Sequence, residues 1–171
     1  MEEMFDTYNE EGEFLSVKPR SECHKKSPGF FHKTVWILII NSKKQILAQK
    51  RAKTKGLYPG KWDTPAAGHI QSGESVLQAC VRETHEELGL DVKSEDFVFL
   101  REWKMEDLWE FAQIFLLKTD AKENEMTLQI EEVEEVKWFS YDDFVKLIYS
   151  NDFCPHDIKY KDWVCEYLKN I

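Results

Sequence analysis

Glu83, Glu86 and Glu87 stand at i, i+3 and i+4, a spacing that gathers three carboxylates on one face of a helix. Glu74 and Arg82 lie just upstream, and Gly68, Gly73 and Gly89 punctuate the stretch. Ser75 can cap the helix, with Gln78 three residues on completing a capping-box pattern. Gly89 suits the left-handed residue just past the helix end. Leu77, Val81, Thr84 and Leu88 recur at i, i+4, i+7 and i+11 and are expected to form one buried stripe, with the glutamates on a different face.

Such a cluster works against stability. Like charges at i,i+4 destabilise a helix by roughly 0.2–0.5 kcal/mol. Carboxylates in a last turn also oppose the negative end of the helix dipole, at about 0.3–1 kcal/mol each when exposed. Arg82 and Lys93 compensate only in part. Where local rules are broken, a functional site is the first explanation to test. The chemical remedy is a divalent cation. Clustered hard oxygen ligands suit Mg²⁺, with Mn²⁺ as the alternative.

The whole chain narrows the partners of such a site. At 171 residues it can bury one core and is too short for two ordinary domains. Hydrophobic residues at 42% and charged residues at 32% fit a soluble globular protein. The longest apolar run, Val35 to Ile40, is six residues, far short of the ~20 needed to span a bilayer, so no membrane partner is expected. The first residues are acidic and show no secretory signal. Cys23, Cys80, Cys154 and Cys165 lack CxxC spacing, which points to reduced thiols and a cytoplasmic location. A net charge of −9 argues against nucleic acid as a partner. It also means that an anionic substrate would need a cation between itself and the protein.

Residues 1–30 read as an N-terminal extension, with Met4–Tyr8 and Glu13–Val17 flanking a turn as a hairpin. Strands are expected at His32–Ile40, Gln45–Lys50, Phe97–Trp103, Trp109–Lys118 and Val133–Phe139. Ser140 can cap a helix through Tyr149, and Asp157 another through Lys169. Strands on both sides of a central helix, with more helices at the end, give a mixed α/β sandwich. Arg51, Lys53 and Lys55, in the loop before Pro59-Gly60, are candidates to receive substrate phosphates. Trp62, Trp103, Trp109 and Trp138 are core candidates, of which at least one is expected at a pocket.

Gly68, five residues, Glu74, seven residues, Arg82-Glu83, then Glu86-Glu87-Leu88-Gly89-Leu90 resembles the signature of the Nudix hydrolases, with Thr84 replacing the usual aliphatic residue. The resemblance extends over about residues 30–150. It implies an α/β/α sandwich with a mixed sheet, formed as a single domain over 31–171 that includes the C-terminal helices. It also implies metal-dependent hydrolysis of a diphosphate linkage in a nucleoside phosphate or other small organic diphosphate. By resemblance the metal falls to Glu83, Glu86, Glu87 and the Gly68 carbonyl. Arg82 orients a glutamate and Glu74 supports the cluster. The general base is Glu83 or a member of the acidic loop Glu131-Glu132-Val133-Glu134-Glu135.

The run from Tyr58 to His69 further resembles the branch of the superfamily that contains isopentenyl-diphosphate isomerase. His24, His32, His69 and Glu110 fall near positions that hold a metal there, which makes the three histidines a possible second metal site. Two features favour hydrolysis over isomerisation. The isomerase thiol precedes the signature glycine, where this chain has Ala67, and the isomerases lose glutamates that this chain keeps. A non-catalytic nucleotide-sensing module would also lose signature glutamates. Messenger-RNA decapping would call for a basic surface.

Overall fold

The computed structural model describes residues 2–171, and one strand organises it. β3 (Phe31–Ile40) is buried along nearly its whole length. Trp36, Leu38 and Ile40 enter one core, while Val35, Ile37 and Ile39 enter another on the opposite face. A strand that is apolar on both sides needs cover on both sides. One cover is α2 (Val76–Leu88), which contributes Ala79, Cys80 and Leu88. The other is the pair α3 (Tyr141–Ile148) and α4 (Ile158–Lys169), which contributes Phe144, Ile148, Tyr160 and Val164. The result is the expected α/β/α sandwich.

β8 (Glu110–Lys118) runs parallel to β3 in unbroken register, from His32 opposite Glu110 to Ile40 opposite Lys118. β7 (Phe97–Met105) is antiparallel to β8. The other edge of β3 is shared by three strands. β1 (Met4–Tyr8) takes Phe31 and His32, β6 (Ala66–His69) takes Thr34 to Ile37, and β4 (Ile46–Arg51) takes Ile40. β5 (Trp62–Asp63) and β9 (Val133–Phe139) both pair with β4. β2 (Phe14–Pro19) completes the N-terminal hairpin and leads into the single turn α1 (Arg20–Cys23). Through β1 the hairpin joins the main sheet.

The predicted caps are present. Ser75 and Gln78 form the capping box, Gly89 is left-handed at φ 65°, and the Ser140 and Asp157 side chains cap α3 and α4. One expectation is corrected: Leu77 is 36% exposed, and the buried stripe of α2 consists of Ala79, Cys80, Glu83, Thr84, Glu87 and Leu88. Neighbouring pairs recurring every four residues set the face that meets the sheet. Glu83 and Glu87 therefore share it with Thr84 and Leu88 and do not stand on a solvated face. β5, β6 and α1 escape a periodicity reading because they span only two to four residues.

Asp63 ties short β5 to the loop before α4. It accepts hydrogen bonds from Arg51 Nη1 at 3.2 Å and His156 Nε2 at 2.7 Å. Burial alone would raise its pKa, but His156, Arg51 and the Thr64 N–H outweigh burial and bring it from 3.8 to about 2. Because the folded pKa lies below the unfolded one, the stabilisation is complete above pH 4 and fades as pH falls towards 2. It amounts to about 2 kcal/mol. The stability gap between parent and Asp63→Asn, from denaturant midpoints, should be full at pH 6 and narrow below pH 4. A gap independent of pH would refute this ion-pair account.

Two left-handed glycines make a second test. At Gly89 a Cβ would lie 2.7 Å from Thr127 Cβ and 2.9 Å from its backbone nitrogen, whereas at Gly73 it would meet nothing within 4 Å. Gly73→Ala should cost about 1 kcal/mol from backbone strain alone. Gly89→Ala should cost about 2–4 kcal/mol because overpacking adds to the strain. Equal losses in thermal melts would show that Thr127 yields freely.

Candidate active site

β6 carries Gly68 alongside β3, and α2 packs over it. A Cβ on Gly68 would sit 2.0 Å from Glu83 Cδ, so only glycine lets the Glu83 carboxylate lie on the strand backbone. Glu87, one turn on, accepts hydrogen bonds at 3.3 Å from Gln49 Nε2 and from the Ala67 N–H. Both donors are neutral. Glu83 and Glu87 are 9% and 7% exposed.

Arg82 is the cation of the cluster. Its Nε and Nη2 grip both Glu74 oxygens at 2.8 and 2.9 Å, and Nη2 also donates to the His69 carbonyl at 2.9 Å. Nη1 donates to Glu83 at 2.6 Å and to Glu86 at 3.2 Å. The paired contact with Glu74 fixes the guanidinium plane, and Glu83 receives the remaining arm. The hydrogen bonds that Arg82 donates to Glu74, ahead of the other contacts, hold the Arg82 pKa above its ordinary value. Burial tends to raise the Glu74 pKa, but the hydrogen bonds from Arg82 and Gln71 leave it lowered.

The two buried glutamates behave differently. Burial pushes Glu83 up to about 7 against the pull of Arg82. Burial, then the charge of Glu83, raises Glu87 well above the carboxylate range. Two adjacent carboxylates in a desolvated place cannot both stay ionised without added positive charge. The donor set, two buried carboxylates beside a strand that has no side chain at Gly68, fits a hard divalent cation such as Mg²⁺ or Mn²⁺. Glu86, half exposed, stands at the outer edge.

These groups open into a cleft of about 1090 Å³ that is also lined by Arg51, Lys55, Trp36, Trp103, Glu132 and His156. Of the phosphate candidates, Arg51 and Lys55 reach the cleft, each already paired: Arg51 with Asp63 and Lys55 with Glu132. Lys53 lies outside and pairs with Glu134 at 3.6 Å. In the acidic loop only Glu132 lines the cleft. Of the four tryptophans singled out, Trp103 lines it; Trp62 packs edge-on against Phe139, Trp109 packs at a tilt against Phe31, and Trp138 donates to the Ala121 carbonyl. Trp36, Gln49 and His156 carry no motif and are found only through the fold, and Asp63, inside the Tyr58–His69 run, was given no role by it.

His24, His32 and His69 do converge, with one ring nitrogen from each within 4.8 Å of the others. His24 Nε2 and His69 Nε2 are 2.9 Å apart. Both ring nitrogens of buried His32 lack a hydrogen bond, and Glu110 Oε1 stands 3.7 Å from His32 Nε2. Burial lowers the His32 pKa to about 4 and raises that of Glu110 to about 7. Three converging imidazoles, with both nitrogens of His32 unpaired, form a donor set suited to Mn²⁺, Zn²⁺ or Fe²⁺.

The model of the NUDIX domain family matches residues 30–163. An uncharacterized Nudix hydrolase of Listeria innocua is 36% identical over 158 residues, covering 90% of this chain and 89% of its own. Nudix hydrolase 3 of Arabidopsis thaliana is 34% identical over 92% of this chain, which spans 22% of that longer protein. An isopentenyl-diphosphate Delta-isomerase of Cutibacterium acnes is 29% identical, covering 81% of this chain and 74% of its own. A crystal structure from Deinococcus radiodurans superposes with a TM-score of 0.77 at 21% identity, covering 98% of each chain. The signature glutamates, the glycine under Glu83 and the two-faced sheet thus meet a match over most of the chain, which belongs to the Nudix family and is a Nudix hydrolase.

Proposed function

We propose that the protein is a metal-dependent hydrolase of a diphosphate linkage in a nucleoside phosphate or other small organic diphosphate, with Mg²⁺ as cofactor and Mn²⁺ as the alternative. The observation that carries this reading is the burial of Glu83 and Glu87 side by side against Gly68. A stability device would not place two acids there, because Arg82 reaches Glu83 but leaves Glu87 with neutral donors only, and a buried charge without a counter-charge is destabilising. Glu83, Glu87 and the Gly68 carbonyl would hold the ion, with Glu86 as the outer member. Bound there, a divalent cation neutralises phosphate oxygens and makes water a better nucleophile.

The protein's own groups do the rest. Arg82, locked by Glu74, keeps Glu83 against the strand. Arg51 and Lys55 face the cleft from one side and can turn spare donors to the phosphates. The base that takes the proton of the attacking water is Glu83 or Glu132, both on the cleft wall. A cytoplasmic location agrees with four cysteines that form no disulfide, and no helix among the described residues is long and apolar enough to cross a membrane.

The isomerase reading draws support from the histidine cluster, where the unpaired His32 nitrogens favour a second, transition-metal ion. It lacks an acid for the alkene. Ala67 offers only a methyl, and among the described residues no cysteine lines the cleft. The complete glutamate set likewise favours catalysis over a sensing module.

Glu83→Gln and Glu87→Gln should each lower diphosphate turnover by orders of magnitude while the fold persists, and chelation should abolish the parent's activity until Mg²⁺ or Mn²⁺ is restored. Phosphate release from a panel of nucleoside and organic diphosphates reads this out. Near-parental turnover in both variants would sink the assignment.

Melting curves test the cation separately. A ligand bound only by the native state stabilises by about 2.7 kcal/mol at a hundredfold excess over Kd. For a chain this size each kcal/mol raises the melting point by roughly 2–4 °C. Mg²⁺ or Mn²⁺ should raise the parent's melting point, and NaCl at matched ionic strength should not. Glu87→Gln should match or exceed the parent without metal, since a buried ionisable acid beside Glu83 is gone, and should gain less with it. The same shift in both proteins would place the cation elsewhere.

A further inference from the structure

His156 enters the cleft from the loop before α4 and leaves one ring nitrogen unused. Its ring packs against Trp36 at 4.9 Å between centroids, Tyr160 at 5.4 Å and Phe153 at 5.9 Å. Trp36 is the cross-strand neighbour of Ala67, whose N–H donates to Glu87. The histidine and the buried glutamates line the same cleft, and the His156 side chain is 13% exposed.

Asp63 decides which nitrogen of His156 is free. Its Oδ1 accepts from His156 Nε2 at 2.7 Å and from the Thr64 N–H at 2.8 Å, and its Oδ2 accepts from Arg51 at 3.2 Å. An ionised carboxylate only accepts, so Nε2 carries the proton and Nδ1 is the nitrogen that can accept a hydrogen bond. Nδ1 has no partner among the described residues and is not sealed from the cleft. Cys154 brings a thiol within 4.8 Å of the same pair. A cation there would have to displace the Arg51 guanidinium, which already supplies the positive charge on Asp63. The pair is built for hydrogen bonding and not as a cation cage.

We propose that His156, positioned by Asp63, is a specificity residue whose Nδ1 accepts a hydrogen bond from a hydroxyl or N–H on the organic group of the diphosphate substrate. The inference rests on the diphosphate reading above and narrows it. The favoured substrates carry a polar organic group of the sugar or nucleobase kind, and plain hydrocarbon diphosphates are disfavoured. Arg51, held by the same carboxylate, sets that contact beside the phosphates. A hydrocarbon in this place would bury Nδ1 without a partner, and sites built to bond a substrate hydroxyl discriminate strongly against analogues that lack it.

Binding tests this without turnover. The probes are butyl methylenediphosphonate and its 2-, 3- and 4-hydroxybutyl analogues, titrated calorimetrically against the full chain with Mg²⁺. At least one hydroxylated probe should bind about ten- to a hundredfold more tightly than the butyl probe. His156→Phe should bring the two within about twofold, with the butyl probe bound at least as tightly as by the parent. Imidazole ¹⁵N spectra of the parent should show the His156 proton on Nε2, and Asp63→Asn, whose amide can also donate, should mix the tautomers and weaken the preference. No preference in the parent, a preference untouched by His156→Phe, or a proton on Nδ1 of the parent would each overturn the proposal. A protein that shows the preference yet hydrolyses no diphosphate would overturn the hydrolase reading alone.

Discussion

The contact between the Glu83 carboxylate and the backbone of Gly68 governs the rest of the site. No Cβ fits between them, so strand β6 and helix α2 approach closely enough to bury an acid between two layers. Glu87 follows one turn later because a helix returns to the same face every four residues. The molecule therefore carries two neighbouring acids in a place where water cannot screen them. Their raised pKa values are the physical statement of that strain, and a divalent cation is the chemistry that relieves it. Catalytic sites are where such destabilised arrangements concentrate.

The remainder of the fold makes this approach possible. β3 is apolar on both faces, so helices must cover both, and the cover on one face is α2 itself. The strand's edge is divided among β1, β6 and β4. That division places His32 at its start and Gly68 in the middle, while β4 meets β3 at Ile40 and carries Gln49 and Arg51 on to pair with β5 and β9. A parallel partner, β8, adds Glu110 opposite His32. One edge of one strand thus sets the order of the cleft wall.

Two side chains then act as anchors of opposite sign. Arg82 gathers Glu74, Glu83, Glu86 and the His69 carbonyl, and so ties the signature helix to the preceding turn and β6. Asp63 gathers Arg51, His156 and the Thr64 N–H, linking β4, β5 and the approach to α4. The first anchor orients the acids proposed to hold a metal. The second orients the donors and acceptors proposed to meet the substrate. Both use charge-assisted hydrogen bonds in partly desolvated surroundings, where such bonds are strongest.

The sequence by itself determined the family, the capped helix, the alternation of long strands and the identity of the signature acids. These are local properties: Ser75 and Gln78 meet across one turn, Gly89 needs only its own φ, and helical spacing alone brings Glu83 next to Glu87. It could not determine that those acids are buried, because burial depends on which helix face meets the sheet, and Leu77 rather than Glu83 looked the better core residue. Nor could it place His156 against Asp63, 93 residues away in the chain, or show that Arg51 and Lys55 enter the cleft already paired with acids. Those contacts join segments with no periodic or motif relation. Only the packing of layers around β3 decided them, since tertiary contacts between distant short elements leave no local trace in the order of residues.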